Sequence, residues 1–153
     1  MTQENQHIET FKASAAGRGW PTRVSITGTQ WTLQMDEPVA DGGSNSGPNP
    51  MQLFIASIAG CQNEQAQVVI EELSLNVNAI DINLEIDLDL AGFMGNTKHS
   101  DGAYKEVRLQ AVVQGDATEE QIQELGARVD RRCPILGLLR SSGCKIISSW
   151  SAA

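Results

Sequence analysis

Between residues 80 and 90, Ile80, Ile82, Leu84, Ile86, Leu88 and Leu90 alternate with Asp81, Asn83, Glu85, Asp87 and Asp89. Successive side chains of a strand point to opposite faces, so this pattern predicts a strand with one apolar face and one acidic, solvated face. A glycine-rich and polar region over 91–103 leads to a second strand at about 104–114, whose Lys105 and Arg108 can sit opposite those acids. Nearer the start the runs are shorter. Phe11 marks a weak first run, Val24 and Ile26 alternate in a second, and Trp31, Leu33 and Met35 alternate in a third, with Gly28-Thr29 suggesting a hairpin between the last two. The stretch 36–50 concentrates Gly, Pro, Ser, Asn and Asp and reads as a loop.

The loop ends in Asn49-Pro50, a helix start signal: an asparagine side chain caps free backbone N–H groups, and proline is tolerated in the first turn. A helix is predicted over 51–73. Its first half, 53–61, is apolar nearly all round and is expected to be enclosed on most sides, with polar residues returning from Gln62 onward. Thr118 followed by Gln121 fits a capping box, and Ile122, Leu125, Val129 and Cys133 follow at helical spacing. Pro134 interrupts that helix, since it lacks an N–H and biases Cys133 away from α geometry. A short second helix then carries Leu136 to Arg140, Ser142-Gly143 ends it, and a last strand places Cys144, Ile146, Ser148 and Trp150 on one face. The expected organisation is one domain over 1–153: N-terminal strands and loop (1–50), central helix (51–73), strand pair (79–115), second helical segment (118–140) and last strand (143–151).

Composition narrows the function classes. The chain has 153 residues, with 11 Lys+Arg against 19 Asp+Glu and a formal charge of −8. With no basic run beyond Arg131-Arg132, it is poorly suited to displace counterions from a phosphate backbone, so nucleic acid is not an expected partner. Hydrophobic residues make up 41% and aromatics 5%, so an ordered core has to be mostly aliphatic. The longest strongly apolar stretch, 53–61, falls far short of the roughly 20 residues that span a bilayer, and no membrane partner is expected. Three cysteines, Cys61, Cys133 and Cys144, are too few and oddly numbered for a secreted disulfide scaffold, and the polar start has no signal-peptide core. Reduced thiols in the cytoplasm are expected.

The cysteines are also the candidate chemistry. Cys61 and Cys133 each fall beside a chain irregularity or a change of polarity. Packing as small core residues is the plainer reading, and it is stronger still for Cys144 on its strand face. Metal binding is disfavoured: there is no Cys-x-x-Cys pair, and the two histidines, His7 and His99, stand in polar or loop contexts. A nucleophilic thiol has to ionise, and a nearby arginine lowers its pKa by about 1–3 units. Arg18, Arg23, Arg131 and Arg132 are the candidates.

The loop and helix Asp36-Glu-Pro…Gly42-Gly43…Gly47-Pro-Asn-Pro-Met-Gln-Leu-Phe…Ala59-Gly-Cys61, together with Arg132-Cys133-Pro134-Ile135, resemble the OsmC/Ohr family of osmotically induced and organic hydroperoxide resistance proteins. The resemblance spans almost the whole chain. It implies an α+β fold with two antiparallel β-sheets around central helices, an intertwined homodimer, and active sites at the subunit interface. It also implies a cytoplasmic thiol peroxidase for organic hydroperoxides, active in oxidative-stress defence. Cys61 would attack the peroxide, Cys133 would resolve the sulfenic acid as a disulfide, and Arg18 would stabilise the thiolate and the departing alkoxide. The apolar half-helix 53–58 would line a pocket for the organic tail. An external dithiol would be the reductant, and no organic cofactor or metal is implied.

In the well-studied peroxidases of that family, the residue after the second proline is a glutamate that holds the arginine; here it is Met51, followed by Gln52. Glu64, one turn after Cys61, can either orient an arginine or raise the thiol pKa. Arg18 best fits the family's glycine-flanked arginine, with Arg23 as the alternative. Met51 and Gln52 also motivate a second reading, a small-molecule-binding or redox-sensing dimer without efficient turnover.

Overall fold

The computed structural model describes residues 8–95, 98 and 102–153. It comprises two compact units, one ending at Leu53 and the other Phe54–Ala153. The first holds a three-stranded antiparallel sheet in the order β1 (Ala13–Ala16), β2 (Thr22–Ile26), β3 (Thr32–Met35). Val24 and Ile26 alternate with exposed Arg23 and Ser25, as their pattern predicts. A tight turn joins β2 to β3, with Gly28 at φ 85° and the Thr29 hydroxyl bridging Ile26 O and Trp31 N. Phe11 and Trp31 fall outside the strands and are exposed.

The second unit packs α1 (Pro50–Leu73), from Phe54 onward, with a sheet of β4 (Val77–Leu88), β5 (Tyr104–Gly115) and β6 (Lys145–Ala152), a short α2 (Leu90–Phe93), α3 (Glu119–Arg132) and α4 (Pro134–Ser141). The acidic face of β4 meets β5 as expected. Glu85 is paired in register with Arg108, whose guanidinium binds Glu85, Asp87 and Glu106 at 2.7–2.9 Å. Leu90, expected on the strand, instead opens α2, because the Asp89 carboxylate caps the Ala91 N–H.

The sheet differs from the expected antiparallel arrangement at one strand. β4 and β5 are antiparallel, but β6 runs parallel to β5. The chain leaves β5, crosses over through α3 and α4, and re-enters beside β5 in the same direction, as a helical crossover requires.

The core takes Ile58, Ala66 and Val69 from α1, Val107, Leu109, Ala111 and Val113 from β5, Ile122, Leu125 and Val129 from α3, and Cys133, Leu136, Leu139, Cys144 and Trp150 beyond. Within the single chain, Leu53, Phe54 and Ile55 in the first half of α1 are half-buried, and Ala56 and Ser57 are exposed. The buried stripe of α1 is Ile58, Gln62, Ala66 and Val69, which recur at three- and four-residue spacing and so lie on one side of the helix.

On α3, the absence of a side chain at Gly126 is what admits Trp150. A Cβ there would lie 2.4 Å from two ring atoms of the indole, which is itself only 5% exposed. Gly126→Ala therefore gains helix propensity, about 1 kcal/mol, but overpacks a closed site at about 1–3 kcal/mol. The expected net is a lower urea midpoint; a raised midpoint would contradict the close packing.

Candidate active site

α1 is anchored at its start by a local cap. Asn49 and Gln52 form a reciprocal capping box: Asn49 Oδ1 accepts from Gln52 N and Gln52 Oε1 accepts from Asn49 N, each at 2.9 Å. Gln52 is thus occupied in starting the helix. Asn49 Nδ2 also donates to Glu37 Oε2 at 3.2 Å.

The preceding loop is organised by Asp36, only 1% exposed, whose carboxylate accepts from Glu37 N and from both the N–H and the hydroxyl of Ser44 and of Ser46, at 2.7–3.1 Å. The Ser44 hydroxyl foremost, then the Ser46 N–H and hydroxyl, hold this carboxyl well below the usual carboxylate range. A Cβ at Gly43 would meet Glu37 O at 2.0 Å and one at Gly47 would meet Gln34 O at 2.3 Å. Those two glycines thus permit close backbone approach within the loop.

Cys61 lies midway along α1, half-buried. Cys133 occupies the break between α3 and α4 at φ −68°, ψ 112°, outside helical geometry as Pro134 dictates, and is 1% exposed. The two thiols, 72 residues apart in sequence, come together in one core: Cys61 packs against the buried cluster that holds Cys133, close enough for Cys133 to act on the Cys61 thiol. At the start of α4, Pro134 has no N–H to offer, and the first available donor is Ile135 N, whose influence on Cys61 favours the ionised sulfur.

Burial first, then the neighbouring Cys133 thiol and the negative charge of Glu64, push the Cys61 thiol up to about 12; the Ile135 N–H acts in the opposite direction. Glu64 is exposed, and in its own unit its effect on Cys61 is that of a like charge rather than of an orienting carboxylate.

Of the candidate cations, Arg132 is held bidentately by Glu72, and Arg131 is exposed. Arg18 is exposed in the connection between β1 and β2, and Arg23 is exposed on β2; both belong to the unit ending at Leu53. Met51 is half-buried in the first turn of α1. Cys144 is buried, and burial followed by the charge of Glu106 pushes its thiol up. Among the described residues, no three His, Cys, Asp or Glu side chains are grouped to hold a metal. His7 and His99 lie outside the described residues.

Around Cys61 the apolar residues divide. Ile58 is fully buried in the core and cannot line an open pocket, whereas Phe54, two turns before Cys61, is half-buried and stacks on Tyr104 with ring centroids 4.9 Å apart. A groove of about 370 Å³ on the sheet is lined by Asn83, Glu85, Arg108, Gln110, Ile147 and Ser149, and none of the cysteines borders it.

Sequence reasoning missed two features of this site. The Ile135 N–H was signalled indirectly by Pro134, which leaves the next residue as the first free donor of α4. The burial of Gln62 beside Cys61 carried no signal, because a polar residue in a helix counts toward its solvent face.

A family model for OsmC-like proteins matches residues 43–149. No curated protein matches the chain in sequence. Among solved structures, the fold is similar to the organic hydroperoxide resistance protein OsmC of Legionella pneumophila, with TM-score 0.72, 22% identity, and coverage of 95% of this chain and 98% of that one. It is also similar to an organic hydroperoxide resistance protein of Elizabethkingia anophelis, with TM-score 0.73, 21% identity, and coverage of 97% and 98%. An OsmC-like protein of Mycoplasma pneumoniae superposes with TM-score 0.76 at 15% identity, covering 95% and 99%.

Proposed function

The chain belongs to the OsmC-like protein family, and from that premise we propose that it is a thiol peroxidase that reduces organic hydroperoxides to alcohols, in oxidative-stress defence. The observation that carries this reading is that Cys61 packs against the core cluster holding Cys133, near enough for one thiol to act on the other, which family membership alone does not guarantee. A packing role for two core cysteines does not require them to be neighbours.

The Cys61 thiolate attacks the distal oxygen of the hydroperoxide. The O–O bond breaks, the alkoxide takes a proton and leaves as the alcohol, and Cys61 becomes a sulfenic acid. Cys133 sulfur then attacks Cys61 sulfur, the S–O bond breaks, water leaves and a disulfide forms. An external dithiol returns both thiols by exchange and is itself oxidised. Arg18 is assigned the cation that favours the Cys61 thiolate and the departing alkoxide, and the Ile135 N–H supports the same negative sulfur. Phe54 on Tyr104 offers an apolar surface to the organic tail. The working form is a homodimer in the cytoplasm, and among the described residues no helix is long and apolar enough to cross a membrane.

Mixing the reduced protein with one equivalent of cumene hydroperoxide is expected to consume the peroxide and yield a Cys61–Cys133 disulfide, identified by peptide mass. Peroxide loss no faster than with Cys61→Ser would end the enzyme reading. Slow oxidation that dithiols cannot reverse, or an apolar ligand retained in native mass spectrometry, would favour the binding or redox-sensing dimer instead.

A further inference from the structure

The polar tie between the helix that carries Cys61 and the helix that delivers Cys133 is Glu72. Its carboxylate accepts from Arg132 Nη1 at 2.8 Å and Nη2 at 2.7 Å, a bidentate pair joining residues 60 positions apart, and Arg128 approaches the same carboxylate at 4.0 Å. Arg128 in turn binds Glu124 one turn earlier on α3. Burial is not what holds Glu72 ionised: the Arg132 hydrogen bonds foremost keep its carboxyl below the ordinary range.

The placement of this pair is specific. Glu72 follows Cys61 by eleven residues on the same continuous α1, three turns of helix and about 16 Å of rise, which returns it to nearly the same face. Arg132 is the last residue of α3 and immediately precedes Cys133. The backbone of Cys133 is tied at both sides to its two helices, while its side chain packs in the core. Its N–H donates to Val129 O at 3.1 Å, closing α3, and its carbonyl accepts from Gly137 N at 3.0 Å, opening α4. A shift of the C-terminal end of α3 is therefore a shift of the Cys133 sulfur. Disulfide formation tolerates little of that, since the sulfurs have to close to about 2 Å with Cα atoms about 4.4–6.8 Å apart.

We propose that Glu72, clamped by Arg132, is a positioning residue that sets the encounter of Cys133 with Cys61 and thereby the rate and equilibrium of disulfide formation. This rests on the thiol-peroxidase reading for its biological use. The geometry, however, governs any oxidation of the pair. In the peroxidase cycle, the clamp acts after the first chemical step. Cys133 sulfur displaces hydroxide from the Cys61 sulfenic acid, an S–S bond replaces the S–O bond, and water carries off the oxygen. The clamp does not touch the reacting atoms, and the first attack on peroxide does not depend on where Cys133 stands.

Two measurements test this on the full chain. In buffers of reduced and oxidised dithiothreitol, with no hydroperoxide present, Glu72→Gln is expected to lower the equilibrium constant for the Cys61–Cys133 disulfide about three- to tenfold, the scale of a partly exposed bidentate pair. Raising the salt to about 1 M should move the unmodified protein toward the variant and leave the variant unchanged. After one equivalent of cumene hydroperoxide, condensation of the sulfenic acid should slow by a similar factor, while Cys61 sulfenylation, followed in a Cys133→Ser background, changes less than about twofold.

Arg132→Lys, which keeps the charge and loses the fork, is expected to fall between the two, and Glu72→Arg combined with Arg132→Glu should restore the disulfide equilibrium. An unchanged equilibrium in a folded Glu72→Gln protein overturns the proposal, as does equal slowing of sulfenylation and condensation. Should the protein fail to reduce hydroperoxides at all, the peroxidase reading falls while the dithiothreitol experiment still decides the clamp.

Discussion

Replacing Arg18 by alanine is expected to slow oxidation of Cys61 by an alkyl hydroperoxide about 10- to 1,000-fold at pH 7 without unfolding the protein. The factor follows from the thiol's surroundings. Within its own unit, burial, Cys133 and Glu64 all favour the protonated sulfur, which is pushed up to about 12, and the Ile135 N–H is the opposing contribution. At neutral pH almost none of such a thiol is ionised, yet the thiolate is the nucleophile. A guanidinium lowers a neighbouring acid's pKa by about 1–3 units, and each unit is a tenfold gain in thiolate.

The sign is checked by pH. For the Arg18→Ala protein in a Cys133→Ser background, the rate of iodoacetamide alkylation at Cys61 should keep climbing as pH rises through 10, whereas with Arg18 present it should level off at lower pH. Glu64→Gln removes a like charge and should move the profile the other way, by about twofold in rate at pH 7. If Arg18→Ala oxidises within twofold of the unmodified protein while Arg23→Ala is slow, the cation is Arg23. If both variants react normally, the thiolate is stabilised by some other means, and the family's arginine has no counterpart here.

The second large effect concerns Gln62, which is fully buried on the stripe Ile58, Gln62, Ala66, Val69. Among the described residues, neither its amide nitrogen nor its amide oxygen has a hydrogen-bond partner. An unsatisfied buried polar group costs about 1–3 kcal/mol, and an apolar replacement of similar shape removes that cost. Gln62→Leu is therefore expected to stabilise the protein by about 1–3 kcal/mol, and each kcal/mol raises the melting temperature of a chain this size by about 2–4 °C. Gln62→Ala separates the two contributions, because it removes the amide but leaves a cavity, and it should be less stable than Gln62→Leu. A Gln62→Leu protein that melts lower than the unmodified one would mean that the amide is paired in solution and that its partner has to be sought.

What the linear pattern conveyed is local. Strict alternation over residues 80–88 yields β4, Asn49 with Gln52 and Thr118 with Gln121 form reciprocal caps, and Pro134 ends α3 at Cys133. Each of these depends on residues within one or two turns of one another, so neighbouring side chains and backbone N–H groups settle the outcome. The same rules misplace Leu90, because a cap at Asp89 overrides the alternation. They also do not specify what covers the first half of α1, because apolar composition carries no information on its neighbours.

The order of the main helices and strands, the aliphatic core and the acidic face of β4 were legible in the sequence, because periodicity, caps and charge act over a few residues. The sequence also marked Cys61 and Cys133 as the residues to watch. It took the folded chain to bring Cys61 against the core cluster that holds Cys133, to set the Ile135 N–H where it favours the ionised Cys61 sulfur, to run β6 parallel to β5, and to place Glu72 on Arg132. Those relations join positions about 40 to 74 residues apart in the chain. They exist only once burial of the aliphatic stripes has drawn the elements together, a collective effect that no local pattern encodes.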